Sequence, residues 1–98
     1  MSIYAVTYTY SDDVALRDAE RPAHREYLAG LGEAGQLVVS GPWGPDEAAG
    51  ALLLLRADSA EAARALTAAD PFVKVGVVVD QTVREFLPVL GPGKDVFA

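Results

Sequence analysis

The chain of 98 residues holds one histidine, His24, and no cysteine. Histidine titrates near neutral pH and can pass a proton in either direction, so a single well-placed one is enough for general acid–base chemistry. A histidine base needs its second ring nitrogen held, usually by a carboxylate. Asp70, which precedes Pro71, is a candidate holder. Both residues also have ordinary explanations. A histidine beside a helix's apolar stripe can be a core residue satisfied by one carbonyl, and aspartate before proline is a common turn cap. Sequence spacing does not bring the two together; only a fold can. One histidine without cysteines does not supply the three or four ligands of a zinc site, so neither metal nor cofactor is expected. A lone histidine could ligate haem, but one tied to a carboxylate suits that role less well.

The elements that must position these residues are legible in outline. Residues 3–10 are β-branched and aromatic and read as a strand. Ser11-Asp12-Asp13 ends it. A helix follows to about Ala34, with Asp18 as N-cap, Pro22 in the first turn and Gly35 just past the end. His24 then lies near the helix N-terminus, in the same arc as Leu28 and Leu31. Residues 37–41 and 50–57 read as strands separated by the loop Pro42-Trp43-Gly44-Pro45-Asp46. Asp58 and Glu61 suggest a capping box for a second helix to about Ala69. Asp70-Pro71 breaks that helix into a turn, residues 77–87 form a fourth strand, and the tail beyond Pro88 reads as loose, although Val96 and Phe97 could dock.

The order β-α-β-β-α-β predicts a single α+β domain over residues 1–98. Its fold would be ferredoxin-like, an antiparallel sheet with both helices on one face. The second face should then be wet and polar, yet the strands do not alternate. Ala51, Leu53 and Leu55 point one way while Leu52 and Leu54 point the other, and Ile3 and Ala5 oppose Tyr4, Val6, Tyr8 and Tyr10. An exposed apolar face of this size marks an interface, and pairing with a second copy closes it most simply. The alternative cover is the chain's own tail.

Composition removes several classes of function. Hydrophobic residues make up 51% and charged ones 22%, which is globular rather than disordered. A net charge of −6 with no run of basic residues argues against nucleic acid. No apolar stretch approaches the roughly 18 residues of a membrane span. The N-terminus enters a strand pattern at once instead of showing a signal peptide, so a cytoplasmic protein is expected.

Three short motifs stand in order along the chain: Arg21-Pro22-Ala23-His24-Arg25-Glu26-Tyr27-Leu28, Ser40-Gly41-Pro42, and Asp70-Pro71-Phe72. Together they resemble the YCII-related (YciI-like) family, over nearly the whole chain. The resemblance implies a dimeric α+β barrel and a histidine/aspartate site formed by His24 and Asp70. It also implies a neighbouring turn at Gly41 and Pro42, with Ser40 less firmly matched. The wider group includes muconolactone isomerase-like enzymes and a dehydrochlorinase of chlorinated hydroxyquinols. The implied chemistry is therefore proton transfer on small cyclic compounds.

Tyr8, Tyr10, Tyr27, Trp43 and Phe72 could supply aromatic walls to such a pocket, though each also suits core or interface. Arg21 could hold an anionic group bidentately, or simply be a solvated surface residue. Two functions remain open at this level. One is a small cofactor-independent lyase or isomerase in which Asp70 orients His24. The other is a non-catalytic dimeric domain that binds a small molecule or serves as an accessory. A ring nitrogen of His24 facing an open pocket, with the other on Asp70, would separate them.

Overall fold

A computed structural model of the chain describes residues 1–97. It contains β1 (Ser2–Tyr10), α1 (Val14–Glu33), β2 (Leu37–Pro42), β3 (Gly50–Ala57), α2 (Ala60–Ala68), α3 (Pro71–Lys74) and β4 (Val78–Phe86), followed by a 3-10 turn over Pro92–Phe97. The four strands form one sheet in the order β2-β3-β1-β4, with every neighbour antiparallel. This is the expected ferredoxin-like architecture. α1 packs against β2, and α2 against β1, β3 and β4.

Alternation along β1 and β3 builds the core. Tyr4 pairs with Leu55, Val6 with Leu53 and Tyr8 with Ala51, and these residues point at the helices. Val6, Leu53 and Leu55 are completely buried, as is Ala63 of α2, and Leu28 and Leu31 of α1 are buried against them. Each buried leucine contributes about 1.5–3 kcal/mol relative to an exposed one.

Three local expectations need correction. α1 does not start at Asp18. Asp13 is its cap, its carboxylate accepting from Leu16 N at 3.0 Å, so the helix begins one turn earlier. Pro22 consequently lies inside the helix, and His24 sits at mid-helix, away from the partial charge of the N-terminus. Ser59 rather than Asp58 caps α2, accepting from Ala62 N at 3.0 Å. Finally, the turn after Asp70 is a short helix with Asp70 as its cap.

The tail is docked instead of loose. Arg56 Nη2 donates to the Val96 carbonyl at 2.8 Å, and the rings of Phe86 and Phe97 meet edge-on at 6.2 Å. Arg56 and Phe86 both pair with Ile3, so the tail crosses one end of the helix-free face, where Ile3 is buried. Beyond that end, Ala5, Leu52 and Leu54 remain only half-buried and Val39 is exposed. The tail therefore covers part of this face, and most of the apolar surface is left open.

Candidate active site

His24 and Asp70 come together although 46 residues separate them. α1 places His24 on its buried face, and the start of α3 places Asp70 behind it. His24 Nδ1 lies 2.8 Å from Asp70 Oδ1 and 3.0 Å from Oδ2. A carboxylate can only accept, so Nδ1 carries a hydrogen, and in the neutral ring it is Nε2 that holds the lone pair. Asp70 is 0% exposed, a costly place for a charge unless it is well partnered. Three donors meet it. Phe72 N donates to Oδ1 at 3.0 Å, Tyr8 Oη donates to Oδ2 at 2.8 Å, and His24 supplies the third.

The imidazole is also fixed face-on. The ring of Phe72 stacks on it, 3.9 Å between centroids and 5° from parallel, and Tyr10 meets Phe72 edge-on at 5.4 Å. His24 is 8% exposed, and that exposure opens into a cavity of about 630 Å³, within the usual range for small-molecule sites. Among the described residues Nε2 has no hydrogen-bond partner, and it is not sealed from solvent, so it has access to the cavity. The ring thus has one nitrogen tied and the other free, the arrangement that acid–base work requires.

The cavity lies between α1 and the β2–β3 hairpin. Ser40, Gly41 and Pro42 line it, as do Tyr10, Trp43 and Phe72. Trp43 reaches the cavity because Gly50 leaves room for it. A Cβ at Gly50 would come within 2.1 Å of the Tyr8 carbonyl oxygen and 3.1 Å of the indole ring.

Tyr8 and Tyr27 stand elsewhere. Neither lines the cavity. Tyr27 donates its hydroxyl to the Leu66 carbonyl, and Tyr8 is buried beneath the site as a second-row partner of Asp70. Burial, with the Asp70 charge and hydrogen bond adding to it, pushes the Tyr8 hydroxyl far above its ordinary value. Burial and the Asp70 charge also raise Tyr10, partly opposed by Arg17, Arg21 and Arg25. Tyr8's role had a signal in the sequence: a tyrosine on the helix-facing side of a strand needs a buried hydrogen-bond partner. Arg17 and Arg25 also line the cavity, beside Arg21. Their spacing at i, i+4 and i+8 around His24 was a readable sign.

The family model for the YCII-related domain matches residues 1–87. The chain belongs to the YCII-related family. Comparison with curated proteins gave no match. Among solved structures, it is similar to the 5-chloro-2-hydroxyhydroquinone dehydrochlorinase of Burkholderia phenoliruptrix in complex with 2,5-dihydroxybenzoquinone. The two share 22% identity and superpose with a TM-score of 0.73, over 87% of this chain and 93% of the other. At that identity the likeness is one of fold. No helix among the described residues is long and apolar enough to cross a membrane.

Proposed function

We propose that this YCII-related protein is a small cofactor-independent enzyme of the lyase or isomerase type. In this reading, His24 transfers a proton on a small cyclic or carbonyl compound held in the cavity. The observation that carries it is the buried His24–Asp70 hydrogen bond, which leaves Nε2 open to the cavity. The similar fold of a dehydrochlorinase of a chlorinated hydroxyquinol adds support for this class.

The step follows from the geometry. His24 Nε2 takes a proton from a carbon next to the substrate carbonyl, leaving an enolate. Asp70 keeps Nδ1–H in place and balances the imidazolium that forms. Return of the proton to another carbon completes an isomerisation; loss of an anionic leaving group from the neighbouring carbon completes an elimination, and the imidazolium proton then passes to that anion or to solvent. The test is exchange of deuterium from solvent into small cyclic ketones and hydroxyquinones, followed by NMR. His24→Gln should slow it roughly a hundred- to ten-thousandfold without unfolding the protein. Exchange in the wild type no faster than with free imidazole would sink the reading.

In the same reading the working unit is a homodimer closed through the helix-free face of the sheet. Half-buried Ala5, Leu52 and Leu54 support it, together with the exposed run Leu87, Val89 and Leu90. Leu52→Asp with Leu54→Asp should give a folded monomer by sedimentation. Leu53→Asp with Leu55→Asp, on the buried face, should not fold at all. A monomeric wild type at micromolar concentration would remove the dimer.

A further inference from the structure

Three arginines line the cavity, and one acidic residue, Glu47, does so. In the whole chain the balance runs the other way, with 14 acidic residues to 8 basic. The positive charge is thus gathered at the one place where a ligand would sit. Arg17, Arg21 and Arg25 share an arc of about 100° on α1 with His24, and the outer two are about 12 Å apart along the axis. Arg21, three residues before His24, is a neighbour of the imidazole on that face.

These charges are only partly neutralised. Arg21 pairs with the exposed Asp18 at 2.9 Å, a solvated contact worth little. Among the described residues Arg17 and Arg25 form no ion pair. Arg17 is nevertheless held in position. Its guanidinium lies 5.2 Å from the Tyr10 ring centroid and its Nη2 donates to the Ser11 carbonyl at 3.0 Å. Its Nε is buried without a hydrogen-bond partner, a state that normally costs free energy. Asp70 opposes this field in part, as its effect on Tyr10 shows, but it is buried behind His24 and bonded by three donors, whereas the three arginines line the cavity itself. Low-dielectric walls focus what remains.

We infer that the cavity takes a small planar organic anion, a carboxylate or an ionised enol or phenol, whose acidic oxygens are held by the arginines of α1 beside His24. The inference rests on the acid–base reading of the site and names the substrate class for it. Planar guanidinium forks match delocalised oxyanions. Holding the ionised oxygen next to His24 would place a neighbouring ring carbon near Nε2, and the same positive field would stabilise an enolate as it forms.

The probes are benzoate and para-nitrophenolate, each set against a neutral counterpart of similar shape, benzamide and para-nitroanisole. Binding is read by calorimetry and by the NMR shifts of His24 and the arginine Nε–H groups. Both anions should bind at least about tenfold more tightly than their neutral partners, and salt should weaken them. If only one anion meets this mark, the site is assigned to that oxyanion, carboxylate or phenolate. The double variant Arg21→Gln, Arg25→Gln should lose about tenfold in anion affinity while keeping the wild-type melting temperature. Arg64→Gln with Arg84→Gln, an equal loss of charge on α2 and β4 outside the cavity, should leave binding unchanged. Neutral probes that bind as well as both anions, or anion affinity untouched in the double variant, would overturn the inference. Because binding does not require turnover, His24→Gln separates the two readings. If anions still bind to it and the wild type shows no exchange activity, the acid–base reading fails and the anion site stands.

Discussion

Two aspartates cap helices in this protein. Asp13 opens α1 and Asp70 opens α3, each accepting from a backbone N–H at 3.0 Å. Asp13 stands exposed at the surface, and among the described residues its side chain makes the capping bond alone. Asp70 is completely buried and receives the His24 ring and the Tyr8 hydroxyl as well. The local chemistry of the two is the same. The difference lies in what the tertiary fold brings to the two carboxylate oxygens and in the removal of water. An ordinary cap becomes part of a site when a titratable ring and a tyrosine converge on it from α1 and β1.

Alanine at the two positions should separate them most. Asp13→Ala removes a surface cap and should cost about 1 kcal/mol. Asp70→Ala removes a cap and also strands the His24 Nδ1–H and the Tyr8 hydroxyl, so the loss should reach about 3–5 kcal/mol in urea melts. Equal losses would mean that Asp70 is only a cap. Asp70→Asn sharpens the comparison further, since asparagine also caps. Its amide N–H favours the tautomer with the proton on His24 Nε2, which removes the base from the cavity. Nitrogen-15 shifts of the imidazole should report that tautomer, and the ring's titration should move. The matching Asp13→Asn should leave both unchanged. An unmoved titration in Asp70→Asn would leave His24 an ordinary core histidine.

Tyr8→Phe tests the third partner with a smaller effect. It should cost about 1 kcal/mol at neutral pH, the price of one buried hydrogen bond. The alkaline limb is more specific. Because Tyr8 stays protonated in the folded state well above the ordinary tyrosine value of about 10, its contribution is fully present below that pH. Above it, the unfolded chain loses the proton that the folded chain keeps, and stability falls as pH rises. Tyr8→Phe should flatten this fall without abolishing it, since Tyr10 and Tyr27 are also raised by burial. A wild type with constant stability well above pH 10 would contradict a buried, protonated Tyr8.

The strands were legible because β-branched and aromatic residues fill them, and the leucines of β3 announced a sheet with two apolar faces. The pairing of His24 with Asp70 was not legible from spacing, since it depends on where α3 lands relative to α1; it came from the family resemblance. Tyr8 was misplaced as a cavity wall because its ring suited that role and its hydroxyl had no visible partner along the chain. Arg21 is the one arginine that stands out along the chain as an anion holder; with Asp18 as the cap, Arg17 falls outside the helix, which hides the face that Arg17, Arg21 and Arg25 share. The start of α1 was lost because Ser11-Asp12-Asp13 serves equally as a strand terminator and as a cap, while Pro22 looked like a first-turn residue.

That last ambiguity gives the smallest test, and it returns to Asp13. If Asp13 is the working cap, Pro22 lies in the helix interior, where it has no N–H to give the Asp18 carbonyl and its ring crowds that oxygen. Proline in such a position is about 3 kcal/mol worse than alanine, partly offset by the freedom it removes from the unfolded chain. Pro22→Ala should therefore stabilise the protein, by about 1 kcal/mol in urea melts. Were Asp18 the cap instead, Pro22 would be the fourth helical residue, with only the first bond of the helix, to the Asp18 carbonyl, missing and no earlier turn for its ring to distort. The gain on the same substitution would then be close to zero. The size of a single shift thus tests which aspartate begins α1, and with it whether His24 stands at mid-helix, beyond the influence of the helix dipole.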